Sequence, residues 1–385
     1  MHYAIVTETY PPEVNGVALT VQSLEGGLRA RGHQVSLVRP RQDASIEPAP
    51  GETLVRGVAL PRYPGLRAGL PATGTLARAW SDSRPDAVYV ATEGPLGWSA
   101  LRAARRLRIP VATGFHTRFD EYMRDYAVPW LEPVALRWMR HFHNRADATL
   151  VPTRELKAFL EEAGFERVRL LPRAVDTQLF DPARRDDALR AELGVGPDAP
   201  LLIHVGRIAA EKNLGLAVRG FRRLQARRPD ARYVWVGDGP MREALQRDNP
   251  DFVFTGIVRG EALARLFASA DLFVFPSRSE TFGNVTLEAM ASGIATIAWD
   301  YGAAREHLRG GEHGAAIAPD DEAAFLSAVE RIASGDDAMP RMRAMGAAAR
   351  ESVLGLSPQR VAQDFDALLS GLRHEEQTHV GRAAA

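Results

Sequence analysis

In the stretch SRSETFGNVTLEAMASG (277–293), Glu280 and Glu288 flank Gly283 and Asn284 at the start of an apolar helical pattern. A helix start offers free backbone N–H groups to an anion. Glu280 precedes that helix and Glu288 lies on it, so their eight-residue spacing does not require the carboxylates to meet. They can address different hydroxyl-bearing parts of one ligand, and a carboxylate that accepts from vicinal ribose hydroxyls is familiar in nucleotide pockets. The other reading of Glu288 is a first-turn acid that complements the helix dipole.

Arg207 and Lys212 stand five positions apart in VGRIAAEKN, directly after a run that reads as a buried strand. A guanidinium is a rigid donor fork and an ammonium a mobile point charge, a pair suited to adjoining phosphates. A solvated helix start is the alternative. Lysine is scarce in this chain: 46 of its 48 basic residues are arginine, leaving Lys157 and Lys212. His116 closes another strand-like run, where it either reaches a ligand or serves the core.

These residues need a frame to hold them. At 385 residues the chain is long for one hydrophobic core and suits two domains of roughly 180 residues each. Acidic and basic residues balance at 48 each, which gives no electrostatic reason to expect nucleic acid. Cysteine is absent, which removes disulfides, thiolate nucleophiles and zinc-thiolate sites together. His141 and His143 in HFHNR have no carboxylate arranged as a metal motif, so no metal site is expected. The start MHYAIVTETYPP carries no basic region ahead of a long apolar run, and no segment approaches about 18 consecutive apolar residues. A cytoplasmic location is expected, with peripheral attachment to the inner membrane face left open.

Short β-branched runs alternate with helical patterns. YAIVTE (3–8), QVSLVRP (34–40), DAVYVAT (86–92), IPVATGFH (109–116) and DATLVPT (147–153) read as buried parallel strands. Helical spacing fills 17–32, 97–108 and 132–145. After a polar stretch between about 182 and 198 the alternation restarts, with strand-like runs at 200–206, 231–237, 251–256, 271–276 and 295–300. The fold class is therefore α/β, with two Rossmann-like doubly wound domains, 1–182 and 183–355. A helix at 356–373 is expected to pack back on the first domain, ahead of a frayed tail at 374–385. Right-handed crossovers put functional loops beyond the carboxyl ends of the strands. The unusual residues fall there: 11–16, His116, 206–212, 237–239 and 277–284. Two such loop sets facing across an interdomain cleft would form a site by position alone.

In order and spacing, ETFGNVTLE, GRIAAEKN, GDGP, PSRSETFG and PPEVNGVA resemble the retaining, nucleotide-sugar-dependent glycosyltransferases of GT-B architecture, family 4 of that group, over about residues 3–370. The resemblance implies sugar transfer from a nucleoside diphosphate sugar with retention at the anomeric carbon and no obligatory metal or other cofactor. It implies that Arg207 and Lys212 stabilise the departing diphosphate and that Glu288 binds the donor ribose. Glu280 with the backbone of 282–284 would position donor-sugar hydroxyls, with Gly283, Asn284 and Val285 in the donor-binding set. Gly16 matches a close-approach glycine, and His116 the histidine that reaches the reacting sugar. Asn15 stands where many relatives carry another glycine, which is expected to narrow the loop's freedom.

TETYPPEVNGVA, GFHTRF and SETFGNVTLEAMASG further resemble bacterial GDP-mannose-dependent α-mannosyltransferases. GDP-mannose is therefore the first expectation for the donor, with UDP-glucose or another UDP-sugar as the alternative. The amino-terminal domain is expected to bind a lipid-linked or glycolipid acceptor through Arg118, Asp120, Tyr122 and Tyr126. In VPWLEPVALRWMRHFHNR, Trp130, Leu131, Val134, Trp138, Met139 and Phe142 stand beside Arg137, Arg140 and Arg145. Such a helix either presses apolar groups into an anionic membrane interface or covers the sheet as an ordinary buried helix. A GT-B sugar-nucleotide epimerase, a nicotinamide-dependent dehydrogenase and a noncatalytic sugar-binding protein account for the glutamate pair and its cations less well.

Overall fold

The computed structural model describes residues 1–13, 15–43, 47–59, 67–116, 132–278, 280 and 282–383. Two compact units divide the chain: Met1–Ala174 with Pro358–Ala385, and Val175–Ser357.

The first unit is built on β1 (His2–Val6), β2 (Gln34–Pro40), β3 (Glu52–Val55), a hairpin of β4 (Gly57–Ala59) and β5 (Arg67–Gly69), then β6 (Ala87–Val90), β7 (Val111–Gly114), β8 (Ala148–Val151) and β9 (Val168–Leu170). Its main sheet runs β3-β2-β1-β6-β7-β8-β9. All of its pairings are parallel; Ile5, for example, lies between Leu37 and Tyr89. Helices on both faces explain why these strands read as continuous apolar runs. The strand order reverses between β1 and β6, so the loops after those two strands flank the switch point of a doubly wound sheet.

The second unit repeats the plan with β10 (Leu201–Val205), β11 (Arg232–Val236), β12 (Val253–Gly256), β13 (Leu272–Phe275), β14 (Ala295–Trp299) and β15 (Gly314–Ile317), in the order β12-β11-β10-β13-β14-β15. Apolar clusters fill both faces, with Leu201, Ile203 and Val205 on one side and Leu202, Tyr233 and Trp235 on the other.

The units divide at 174/175 rather than at the polar stretch after 182. Val175 and Phe180 are buried in the second unit's core. Arg350 fastens the segment between them, donating to the carbonyl of Phe180 at 3.0 Å and to Asp181 Oδ2 at 2.6 Å. The final helix, Pro358–Ala383, passes through the segment expected to fray, in keeping with the proline-free, glutamate- and glutamine-bearing sequence HEEQTHVGRA. In the first unit's core this helix buries Val361, Phe365 and Leu369. Ala362 lies so close to Gly27 that a Cβ on that glycine would come within 2.3 Å of it. Asp366 accepts from the Tyr3 hydroxyl at 2.7 Å and contacts His33 Nε2 at 2.9 Å.

Candidate active site

The carboxyl-end loops of the second unit carry the densest chemistry. The loop after β10 and the GDGP loop after β11 pack backbone on backbone. Ile208 N–H donates to Asp238 O at 2.9 Å, and Met241 N–H to Ile208 O at 3.1 Å. The contact depends on missing Cβ atoms: one on Gly237 would lie 1.9 Å from Gly206 O, and one on Gly239 2.3 Å from Ile208 O. Asp238 caps its own turn, accepting from Gly239 N–H at 2.7 Å. Arg207 leaves this platform for solvent, its side chain 65% exposed and 3.4 Å from Glu211. Lys212 ends the short turn Ala210–Lys212 and points the other way, into the protein.

There Lys212 Nζ meets Glu280 Oε1 at 2.5 Å, with the two side chains only 14% and 20% exposed. Ser277 Oγ donates to the same oxygen at 2.8 Å. The sequence put the cation and the carboxylate in one site without pairing them, and the fold makes them direct partners. Two residues that sequence reasoning passed over hold this loop. Trp299 Nε1 donates to Pro276 O at 3.0 Å, and the Tyr301 hydroxyl to Ser277 O at 2.6 Å. Both belong to ATIAWDY, and an aromatic N–H or O–H next to a buried strand end is the signal that would have found them.

Gly283 adopts φ 86°, a left-handed conformation that only glycine takes cheaply, and turns the chain into the helix Asn284–Ala291. Among the described residues, the N–H groups of Asn284 and Val285 have no acceptor, whereas Thr286 N–H bonds to Gly283 O at 3.0 Å. Glu288, one turn further on, is half-buried, and loss of hydration pushes its carboxyl up to about 7. In the first unit burial likewise raises Glu8 to about 7, although its Oε1 accepts from Leu96 N–H at 3.0 Å.

Linkage turns this into a measurable slope. A carboxyl whose folded pKa exceeds its unfolded value keeps a proton that the unfolded chain releases. Its contribution to stability is therefore full below about pH 4.5 and is lost as pH rises through about 7. Glu288→Gln removes that component. The variant is expected to gain stability relative to the native chain between those two pH values and to hold the gain above them, as read by urea unfolding at a series of pH values. An unchanged difference across the range would show that the Glu288 carboxyl titrates normally.

In the first unit, Asn15 takes a role the sequence reading did not give it. Its backbone is extended, φ −149°, and its side chain caps the helix Gly16–Ala30, accepting from Val17 N–H at 3.1 Å and Ala18 N–H at 2.9 Å. Asparagine is thus a strong N-cap here and needs no left-handed freedom. Gly16 is the first helical residue beside it. His116, two residues beyond β7, is buried, and both ring nitrogens are engaged: Tyr89 Oη lies 2.8 Å from Nε2 and Arg173 Nη2 2.8 Å from Nδ1. Burial, then Arg173 and His143, hold its pKa well below the ordinary histidine value.

Arg118, Asp120, Tyr122 and Tyr126 lie outside the described residues, as do Trp130 and Leu131. The helix Glu132–His143 is buried along one side and exposed along the other. Met139 and Phe142 are buried, while Val134 and Trp138 are 62% and 46% exposed. Trp138 lies 5.2 Å from Trp98, over whose ring Arg145 sits at 5.3 Å. Arg137 and Arg140 on this helix and Arg102, Arg105 and Arg106 on the helix Pro95–Arg106 are exposed. Among the described residues, no helix is long and apolar enough to cross a membrane.

Residues 14–179 match the family model described as Glycosyltransferase Family 4, and residues 199–334 the one described as Glycosyl transferases group 1. A GDP-mannose-dependent alpha-mannosyltransferase of Mycolicibacterium smegmatis is 36% identical over 92% of this chain and 93% of that protein. An alpha-monoglucosyldiacylglycerol synthase of Streptococcus pneumoniae is 26% identical over 77% of this chain and 71% of that one. Among solved structures, the sucrose-phosphate synthase of Thermosynechococcus elongatus matches with a TM-score of 0.76 at 21% identity, covering 96% of this chain and 98% of that chain. That likeness is one of fold, and the two doubly wound α/β units are those of the GT-B class. Relatedness of this extent, reaching across both units, places the chain in glycosyltransferase family 4: it is a nucleotide-sugar-dependent glycosyltransferase.

Proposed function

We propose that the protein transfers an α-mannosyl group from GDP-mannose, with retention, to a hydroxyl of a lipid-linked or glycolipid acceptor. The observation that carries the nucleotide half is Glu288: a carboxyl pushed up to about 7 by burial, on the helix whose first two N–H groups are open. Such a group is costly to the empty protein and useful to one that receives ribose hydroxyls. In this reading Asn284 and Val285 N–H, with Arg207 and Lys212, take the diphosphate, while Glu280 and the backbone at 282–284 orient the sugar. Charge that develops on the leaving phosphate then meets fixed donors, and these need no reorganisation at the moment of transfer. The family resemblance also assigns Gly16 and His116 to the donor, and the residues that follow His116, Arg118, Asp120, Tyr122 and Tyr126, are assigned to the acceptor. The name of the mycobacterial relative favours GDP-mannose, and that of the streptococcal one a glycolipid product.

The exposed pair Val134 and Trp138, ringed by arginines, suits attachment to an anionic membrane face. One assay tests donor and surface together. Purified protein is given GDP-mannose, UDP-glucose or another UDP-sugar with a glycolipid acceptor in neutral or anionic vesicles. Turnover of GDP-mannose, faster on anionic vesicles and slowed by salt, is expected. Robust use of UDP-glucose with none of GDP-mannose overturns the donor assignment, and equal rates on both vesicle types overturn the membrane assignment.

A further inference from the structure

We propose that Arg173 is a positioning residue: it fixes His116 as the neutral Nε2–H tautomer and thereby makes the Tyr89 hydroxyl a hydrogen-bond donor at the carboxyl end of the first unit's sheet. A guanidinium has five N–H donors and no acceptor. Arg173 Nη2 lies 2.8 Å from His116 Nδ1, so Nδ1 must present its lone pair. The ring proton then sits on Nε2, 2.8 Å from Tyr89 Oη, and that oxygen accepts it. Tyr89 keeps its own O–H proton to donate elsewhere. One arginine at the end of the chain of contacts thus sets the direction of every hydrogen bond in it.

The geometry leaves little room for another arrangement. Arg173, His116 and Tyr89 are 7%, 8% and 1% exposed. Phe365 packs edge-on against Tyr89 at 4.9 Å. Gly114 makes the space: a Cβ there would fall 2.2 Å from Tyr89 Oη and 2.5 Å from His116 Nε2. The groups that bear on the ring come from four places: Tyr89 on β6, Arg173 beyond β9, His143 on the helix Glu132–His143, and Glu93, 3.4 Å from His143 Nε2. Burial, then Arg173 and His143, oppose an imidazolium there.

Stability alone gives no reason for the arrangement. Burial draws the Arg173 guanidinium down to about 10, and its one hydrogen bond among the described residues goes to a neutral ring. A buried cation with no carboxylate partner among the described residues costs free energy that an apolar side chain would not. What the arginine does supply is a single protonation state. A neutral ring with Nδ1 occupied cannot serve as a general base, so the cluster offers directed hydrogen bonds and no proton transfer by His116.

Ring nitrogen NMR on the full-length 15N-labelled protein tests this directly. The native His116 ring is expected to show one protonated and one bare nitrogen, unchanged from about pH 6 to 9. In Arg173→Met the ring should become titratable, with a midpoint moved toward the ordinary value of about 6.5, and the acid limb of kcat/KM, to which Glu288 already contributes near 7, should gain a second step. Arg173→Lys keeps a charge that can only donate and should restore the native tautomer and the native profile. An imidazolium or an Nδ1–H ring in the native protein at neutral pH overturns the proposal, and that spectrum decides even if Arg173→Met does not fold. A folded Arg173→Met with native ring spectra and a profile merely scaled down overturns it as well. The effect on turnover rests on the reading that His116 meets the sugar. Full activity in His116→Phe would sink that reading, while the ring spectra would still decide the role of Arg173.

Discussion

Lys212→Ala is expected to lower kcat/KM by about 10²- to 10³-fold, the loss typical of removing one fixed donor to developing charge. Lys212 is suited to the role because Glu280 and the strand-end loop hold its ammonium in place, with 14% of the side chain exposed. Stability should fall far less, by about 1 kcal/mol, because the ion pair is still partly hydrated and Glu280 keeps Ser277 Oγ at 2.8 Å. Arg207→Ala is expected to cost less than Lys212→Ala, since a side chain 65% exposed must first be ordered by the ligand. Urea unfolding alongside initial rates separates the effects. An activity loss in Lys212→Ala fully matched by loss of folded protein would remove the lysine from the phosphate-binding set.

The largest expected effect on stability comes from Gly237→Ala. At φ 137° the added Cβ would lie 1.9 Å from the carbonyl oxygen of Gly206, and backbone cannot swing aside as a side chain would. Strain at such a φ and the forced separation of the two loops together should cost about 3 kcal/mol. The urea midpoint should drop with little change in slope. Donor affinity should drop too, because the displaced loop carries Arg207 and leads to Lys212. Gly215→Ala is the matched control. Nothing lies within 4 Å of its would-be Cβ, and it sits in the helix Leu214–Gln225, where alanine is favoured. If both variants unfold at the native midpoint, the two loops do not depend on their close approach.

The strands buried on both faces were legible because only apolar, largely β-branched runs can fill such positions. QVSLVRP coincides with β2, and DLFVFP contains β13. Of the edge strands, β12 was legible within DFVFTG (251–256) and β3, β9 and β15 were not. β15 is GAAI and β9 is VRL, too short and too mixed to differ from loop. At the site, residue types at strand ends could be read, but their partners could not. Lys212 and Glu280 are 68 positions apart, and His116 and Arg173 are 57 apart. Only the sheet order brings such residues together. The N-cap role of Asn15 was not read, because only the fold shows that the helix starts at the next residue.

The final helix also bears on the order in which the chain can fold as it is made. The second unit occupies one unbroken stretch, Val175–Ser357, and holds all its strands before the last helix is synthesised. The first unit begins at Met1, yet Phe365, Leu369 and the Asp366 partner of Tyr3 reach it only at the end. During translation the amino-terminal half therefore waits with an open apolar face while the later half closes, the reverse of the usual sequence in which the first-made domain folds first.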